Sequence, residues 1–75
     1  MNYTIGVMTD VMGDVMVSFE KSGNRFLIGF FNIKTKEYTN KTFNSLEEAQ
    51  EVFNKFVNAI LSGCYSYEQR KAFLD

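Results

Sequence analysis

The clearest hydrophobic pattern in the chain is helical and covers residues 43–63. Apolar side chains fill an arc of about 200°, wider than the stripe that a helix needs to lie on one sheet. Ser45 and Glu48 have the spacing of a capping box, and Gly63 can adopt the left-handed conformation that ends a helix. We therefore expect one long amphipathic helix that contacts a sheet and a second element.

Before this helix, apolar and polar residues alternate, which is typical of half-buried strands. The alternation covers residues 3–7, 15–19 and 26–30. Gly23-Asn24 has the composition of a two-residue hairpin turn, and so has Gly13-Asp14, although a loop over residues 10–13 is an alternative for the first connection. A fourth strand is expected at residues 37–43, with its register left open.

If both turns hold, one set of apolar residues shares the sheet face under the helix. These residues are Val15, Val17, Phe19, Phe26, Ile28 and Phe30. On the other face, Met16 is expected opposite Phe31.

A second capping box, Ser66 with Gln69, predicts a short helix over residues 67–74. It would place Phe73 and Leu74 against the rest of the protein. The predicted fold is therefore α+β: an antiparallel β-meander of three or four strands, one long amphipathic helix and a short C-terminal helix, forming a single domain over residues 1–75.

Composition supports one small core and narrows the functional classes. The chain has 75 residues, 45% of them hydrophobic, with eight phenylalanines and a net charge of −1. A near-neutral charge gives no general attraction to nucleic acid or to an anionic membrane. The longest apolar run, residues 26–31, is too short to cross a bilayer, and the first residues lack signal-peptide features. With one cysteine, no intrachain disulfide can form, so we expect a cytoplasmic protein without membrane contact.

Candidate chemistry is sparse. The chain contains no histidine, which removes the commonest general base and the commonest metal ligand. Cys64 has no imidazole to activate it, and the spacing of Asp10 and Asp14 matches no calcium loop. We therefore expect no enzymatic activity, no cofactor and no metal.

One functional hypothesis is nucleic-acid binding through the hairpin before the helix. Lys34, Lys36 and Lys41 cluster around Tyr38, and such a group can bind a phosphate backbone and stack a base.

Residues 29–53 contain a strand, a K-T-K turn, a second strand ending at residues 41–43, and an S-x-E-E-A helix start. This order resembles the sheet-to-helix junction of AP2-type and phage-integrase arm-binding domains. The resemblance implies a three-stranded sheet backed by a helix, with DNA read by the exposed sheet face. Where a DNA reader would carry several arginines, that face offers Ser18, Gly29, Phe31 and Asn32.

The leading hypothesis is a non-catalytic interaction module. Met16, Leu27, Phe31 and Ile33 are expected on the sheet face away from the long helix, where an uncovered apolar patch usually marks an interface. The C-terminal helix could cover this patch. If it does not, the partner is an unknown protein or a second copy of the chain.

Overall fold

The computed structural model describes residues 2–10, 14–63 and 66–75 as one antiparallel sheet covered on one side by helices. The strands are β1 (Asn2–Asp10), β2 (Val15–Ser22), β3 (Arg25–Asn32) and β4 (Tyr38–Phe43), in the spatial order β1-β2-β3-β4. The helices are α1 (Leu46–Ser62) and α2 (Tyr67–Lys71), and a 3₁₀ turn follows at Ala72–Leu74. The predicted α+β meander with a long and a short helix is confirmed, with four strands.

The hairpin of β2 and β3 has the predicted register. Ser22 pairs with Arg25 across a two-residue turn, in which Gly23 has a φ of 62°. A positive φ at the first turn position is what a type II′ hairpin turn needs, and glycine adopts it without strain. As expected, Met16 lies opposite Phe31. The alternate residues of β2 and β3 face the helices and are buried. Five of them are at most 1% exposed: Val15, Val17, Phe19, Ile28 and Phe30.

The connection of β1 to β2 differs from the two-residue turn predicted at Gly13-Asp14. Asp10 pairs with Val15, so four residues join the strands. Of these, residues 11–13 lie outside the described part of the chain. A second difference is a register shift between Thr4 and Gly6, which leaves Ile5 as an extra residue in β1. Such a bulge interrupts the alternation of side chains between the two faces.

The caps of α1 match the sequence prediction in part, because within residues 14–63 the Glu48 side chain does not return the bond to the Ser45 N–H that would complete the capping box. The Ser45 hydroxyl accepts a hydrogen bond from the Glu48 backbone N–H at 3.2 Å. Gly63 has a φ of 67° and donates its N–H to the carbonyl of Ala59 at 3.0 Å. At the centre of the helix, Phe56 is fully buried and packs on Phe30 with ring centroids 5.0 Å apart.

Fewer residues of the apolar arc of α1 are buried than the sequence pattern predicts. Leu46 is 49% exposed and Leu61 is 75% exposed, so these two ends of the helix do not contribute to the core as the pattern suggested. The buried helix residues are Ala49, Phe56 and Ala59. Small alanines at the contact let the helix approach the sheet closely.

The C-terminal segment packs on the same side of the sheet as α1. Tyr67 stacks on Phe30 with centroids 5.2 Å apart, Phe73 meets Phe56 edge-on at 5.1 Å, and Leu74 is buried. The expected second contact of the long helix is therefore this segment. The question left open by the sequence is answered as well, because α2 does not cover the opposite sheet face.

That opposite side is called the open face below, and the register of the four strands assigns its residues. From β1 to β4 these are Thr4, Val7 and Thr9; Met16, Ser18, Glu20 and Ser22; Arg25, Leu27, Gly29 and Phe31; and Tyr38, Asn40 and Thr42. The register of β4, which the sequence did not determine, places Phe43 opposite Phe26 on the helix side.

Candidate functional site

Three large side chains of the open face, together with a threonine, form a row across all four strands. Met16 pairs with Phe31, Phe31 pairs with Tyr38, and Thr9 completes the row on β1. Met16 and Phe31 are partly buried, whereas Tyr38 is 53% exposed. The row is therefore apolar, wide and accessible.

Beside this row the face is hollow. A concavity of about 370 Å³, open to solvent, is lined by residues of all four strands. Its lining consists of Val7, Met16, Ser18, Glu20, Gly29, Phe31 and Tyr38. The hollow exists because the middle of the face is occupied by Ser18 and Gly29, which pair with each other and have little or no side chain.

Gly29 is also the reason that Tyr38 lies flat across the sheet. A Cβ at position 29 would be 2.7 Å from the Tyr38 hydroxyl and 2.8 Å from the Ser18 Oγ. Tyr38 therefore leans along the sheet over the glycine, the diagonal neighbour of its own strand position. The aromatic ring becomes one wall of the concavity.

The structure brings together only part of the predicted interface. Met16 and Phe31 are adjacent in the row, and Leu27 lies on the same face, opposite Glu20. Ile33 follows β3, is 37% exposed, and donates its backbone N–H to the carbonyl of Asp14 at 2.7 Å. It is not among the residues that line the concavity.

Two lining residues were not assigned to this surface from sequence. Val7 is 51% exposed and lies on the open face. The bulge at Ile5 places Val7 on the opposite side of the sheet from Tyr3, although simple alternation would put both on the same side. Tyr38 was assigned to a nucleic-acid contact, since the register of β4 was unknown. A glycine next to the alternating residues of β1 is the signal that could have indicated the bulge.

The predicted nucleic-acid cluster is divided between two sides of the sheet. Lys34 and Lys36 are exposed in the β3–β4 turn, where Lys36 has a φ of 69°. Tyr38 lies on the open face, whereas Lys41 pairs with Ile28 on the helix side and places its Nζ 5.5 Å from the Phe43 ring centroid. The four side chains therefore do not share one surface.

Charge on the open face is confined to one end. Glu20 and Arg25 occupy neighbouring strands near the Gly23-Asn24 turn. Within the part of the chain that the structure describes, neither side chain forms a hydrogen bond or an ion pair.

Polar contacts are instead concentrated on the helix side. The Tyr67 hydroxyl donates to Glu37 Oε2 at 3.1 Å, and Lys71 Nζ lies 4.0 Å from the same oxygen. Burial raises the pKa of Tyr67 above its usual value, and the hydrogen bond to the Glu37 carboxylate raises this pKa further. This network anchors α2 to the β3–β4 turn and lies apart from the concavity.

Other kinds of site find no support in residues 2–10, 14–63 and 66–75. No group of three or more carboxylate or thiol side chains there could hold a metal ion. Among the same residues, none of the helices has the length and hydropathy needed to span a membrane.

No family model matches the chain, and comparisons with curated proteins and with solved structures found no match either.

Proposed function

We propose that this chain is a small, non-catalytic protein-interaction module that binds its partner through the open face. One observation carries the proposal: the C-terminal segment packs beside α1, so Met16, Phe31 and Tyr38 stay accessible around a concavity of about 370 Å³. Large apolar side chains gathered on an uncovered sheet face of so small a protein are typical of an interface.

The composition of the face supports a protein partner. Methionine and aromatic side chains are enriched in interface cores, where methionine adapts to irregular shapes and aromatics supply large contact areas. The absence of histidine from the chain supports a non-catalytic role. Its single cysteine supports a reducing, cytoplasmic location, because no intrachain disulfide is available to stabilise the fold.

The nucleic-acid alternative has weaker support. Its four residues are divided between the two sides of the sheet, with Lys41 facing away from Tyr38. The open face also carries the Glu20 carboxylate at the rim of the concavity, where it would repel a phosphate backbone.

Site-specific photo-crosslinking tests the proposal. A benzophenone side chain replaces Phe31 in one variant and Asn58, on the exposed side of α1, in the control variant. Both proteins are irradiated in the cells that produce them. We expect an adduct of defined mass from position 31 and none from position 58, because only the open face holds a partner.

A second substitution makes the result specific to the apolar row. Met16→Glu, combined with the crosslinker at position 31, is expected to abolish the adduct, since a carboxylate in the row would have to be desolvated on binding. Equal adducts from positions 31 and 58, or no adduct from position 31, would refute the proposal. The mass of the adduct distinguishes a second copy of the chain from a different protein.

A further inference from the structure

The open face carries one acidic and one basic side chain that form no ion pair with the described residues of the chain. Glu20 pairs in register with Leu27, and Arg25 pairs with Ser22, so the two side chains are diagonal neighbours on β2 and β3. Arg25 is exposed and Glu20 is partly buried, and neither has a side-chain partner among the described residues. A carboxylate and a guanidinium so placed can be satisfied by a surface that presents the same two charges in exchanged positions.

The apolar part of the face is also complementary to itself when β2 and β3 are exchanged. Met16 on β2 lies opposite Phe31 on β3, and between this row and the charged end lie only Ser18 and Gly29. An operation that exchanges β2 with β3 would therefore place methionine over phenylalanine, small residues over small residues, and glutamate near arginine. Methionine over an aromatic ring is a favourable contact.

Building on the proposed function, we infer that the partner of the open face is a second copy of this chain. The two sheets pack face to face about a twofold axis that runs parallel to the strands between β2 and β3. Such an interface is isologous, so each copy contributes the same residues to both halves. Sheets packed in this way keep their strands within about 30° of each other. Met16 of each copy then faces Phe31 of the other, and Glu20 lies over Leu27, two residues along β3 from Arg25 and within reach of its long side chain.

The twofold also accounts for the exposure of Tyr38 and Val7 in the single chain. It exchanges β1 with β4, so the exposed Tyr38 of one copy lies over the β1 strand of the other, next to Val7. Both residues line the concavity and are about half exposed in the single chain, at 53% and 51%. Tyr38 of each copy therefore lies next to Val7 of the other, and both half-exposed side chains become covered on dimerisation.

The size of the face indicates a weak, reversible dimer. Four strands of about eight residues cover roughly 19 by 26 Å, so two faces bury on the order of 1,000 Å², the lower limit for a specific interface. We therefore expect a dissociation constant in the range of about 1 to 100 μM.

Sedimentation velocity with charge-exchange variants tests this inference. The wild-type protein is expected to change from monomer to dimer between about 1 and 500 μM. Glu20→Arg and Arg25→Glu each place like charges against each other across the twofold, so either variant alone should dimerise at least about tenfold more weakly. An equimolar mixture of the two variants should form a heterodimer with an affinity within about threefold of the wild-type value, because opposite charges meet again at both contacts.

Matched variants on the exposed face of α1 provide the control. Glu47→Arg and Lys55→Glu make the same changes of charge away from the sheet, and we expect them to leave dimerisation unchanged. Circular dichroism of every variant confirms that the fold is retained. Single variants that dimerise as the wild type does, or a mixture that stays monomeric, would overturn the inference.

The outcome also separates this inference from the proposed function. A wild-type protein that remains monomeric up to about 500 μM, while position 31 crosslinks to a protein of different mass, overturns the dimer and leaves the interaction module standing. A dimer that is insensitive to Glu20→Arg, to Arg25→Glu and to Met16→Glu uses another surface and overturns this twofold arrangement; if position 31 also gives no adduct, the proposed function is overturned as well.

Discussion

Arg70 is a charged side chain that the fold buries almost completely. It is 5% exposed, and its guanidinium donates from Nη1 to Asp10 Oδ2 at 2.7 Å, while its Nε is buried without a partner. This contact joins α2 to the end of β1, across 60 residues of sequence. A buried guanidinium is tolerated because a carboxylate faces it, so each partner depends on the other.

We expect Asp10→Asn to lower the free energy of unfolding by about 3 kcal/mol, because the Arg70 guanidinium stays buried without a counter-charge. The double variant Asp10→Asn with Arg70→Met removes that charge and should recover a large part of the loss. Urea denaturation of the wild type, both single variants and the double variant forms a complete cycle. Equal stabilities of Asp10→Asn and the double variant would contradict this account.

Neither residue of this pair was assigned its role from sequence. From the sequence, Asp10 is considered only together with Asp14, as a possible calcium loop, and no side-chain contact is predicted for Arg70. Local patterns report on neighbours within a few residues, whereas this contact depends on where a distant helix packs.

At the scale of single elements, prediction succeeds where the determinant is local. The reciprocal capping box of Ser66 and Gln69 is present, with the Gln69 side chain accepting from the Ser66 N–H at 2.9 Å. Gly63 and Gly23 have the positive φ angles that their positions require. The bulge at Ile5 was missed, because an extra residue in one strand is defined by the partner strand and not by the bulged sequence alone.

Substitution of the N-cap of α1 tests how far the long helix depends on its local start signal. Ser45→Ala removes the acceptor of the Glu48 N–H, and we expect the free energy of unfolding to fall by about 1 kcal/mol. Ser45→Asp is the matched control, because a carboxylate caps about as well as a hydroxyl. Thermal and urea unfolding measure both variants. A loss for Asp as large as that for Ala would show that the cap bond is not the cause.

For the whole molecule, the deciding feature is the side of the sheet on which the tail packs. Phe30 contacts both Phe56 and Tyr67, so β3 is covered by α1 and α2 together. Amphipathicity predicts that α2 buries one face, but both sides of this sheet offer apolar residues, and the sequence does not distinguish them. The position of the tail is therefore a tertiary property.

The same reasoning limits how much of the candidate surface could be predicted. Met16 and Phe31 were placed correctly because the Gly23-Asn24 turn sets the register of β2 and β3. Tyr38 and Val7 required the register of β4 and the bulge in β1, and these are set by pairing with neighbouring strands. The centre of the surface thus follows from local turn chemistry, whereas its two edges depend on the assembled sheet.

The role of the tail in completing the core can be tested with two leucines. Leu74 is 5% exposed against the helix side of the sheet, and Leu61 is 75% exposed on α1. We expect Leu74→Ala to lower the free energy of unfolding by about 2 to 3 kcal/mol through loss of burial and the cavity that it leaves. Leu61→Ala, the same chemical change at the surface, should stay within about 0.5 kcal/mol of the wild type.

NMR spectra of the backbone amides, the methionine methyl groups and the tyrosine rings in the same two variants locate the change. Because the tail and the open face lie on opposite sides of the sheet, Leu74→Ala should perturb the amides near Phe56 and Phe73 while leaving the side-chain signals of Met16 and Tyr38 largely unchanged. If Leu74→Ala is as mild as Leu61→Ala, the tail does not complete the core. If its perturbation is centred on Met16 and Tyr38, the tail covers the face that we assign to the partner, and the assignment of that face is wrong.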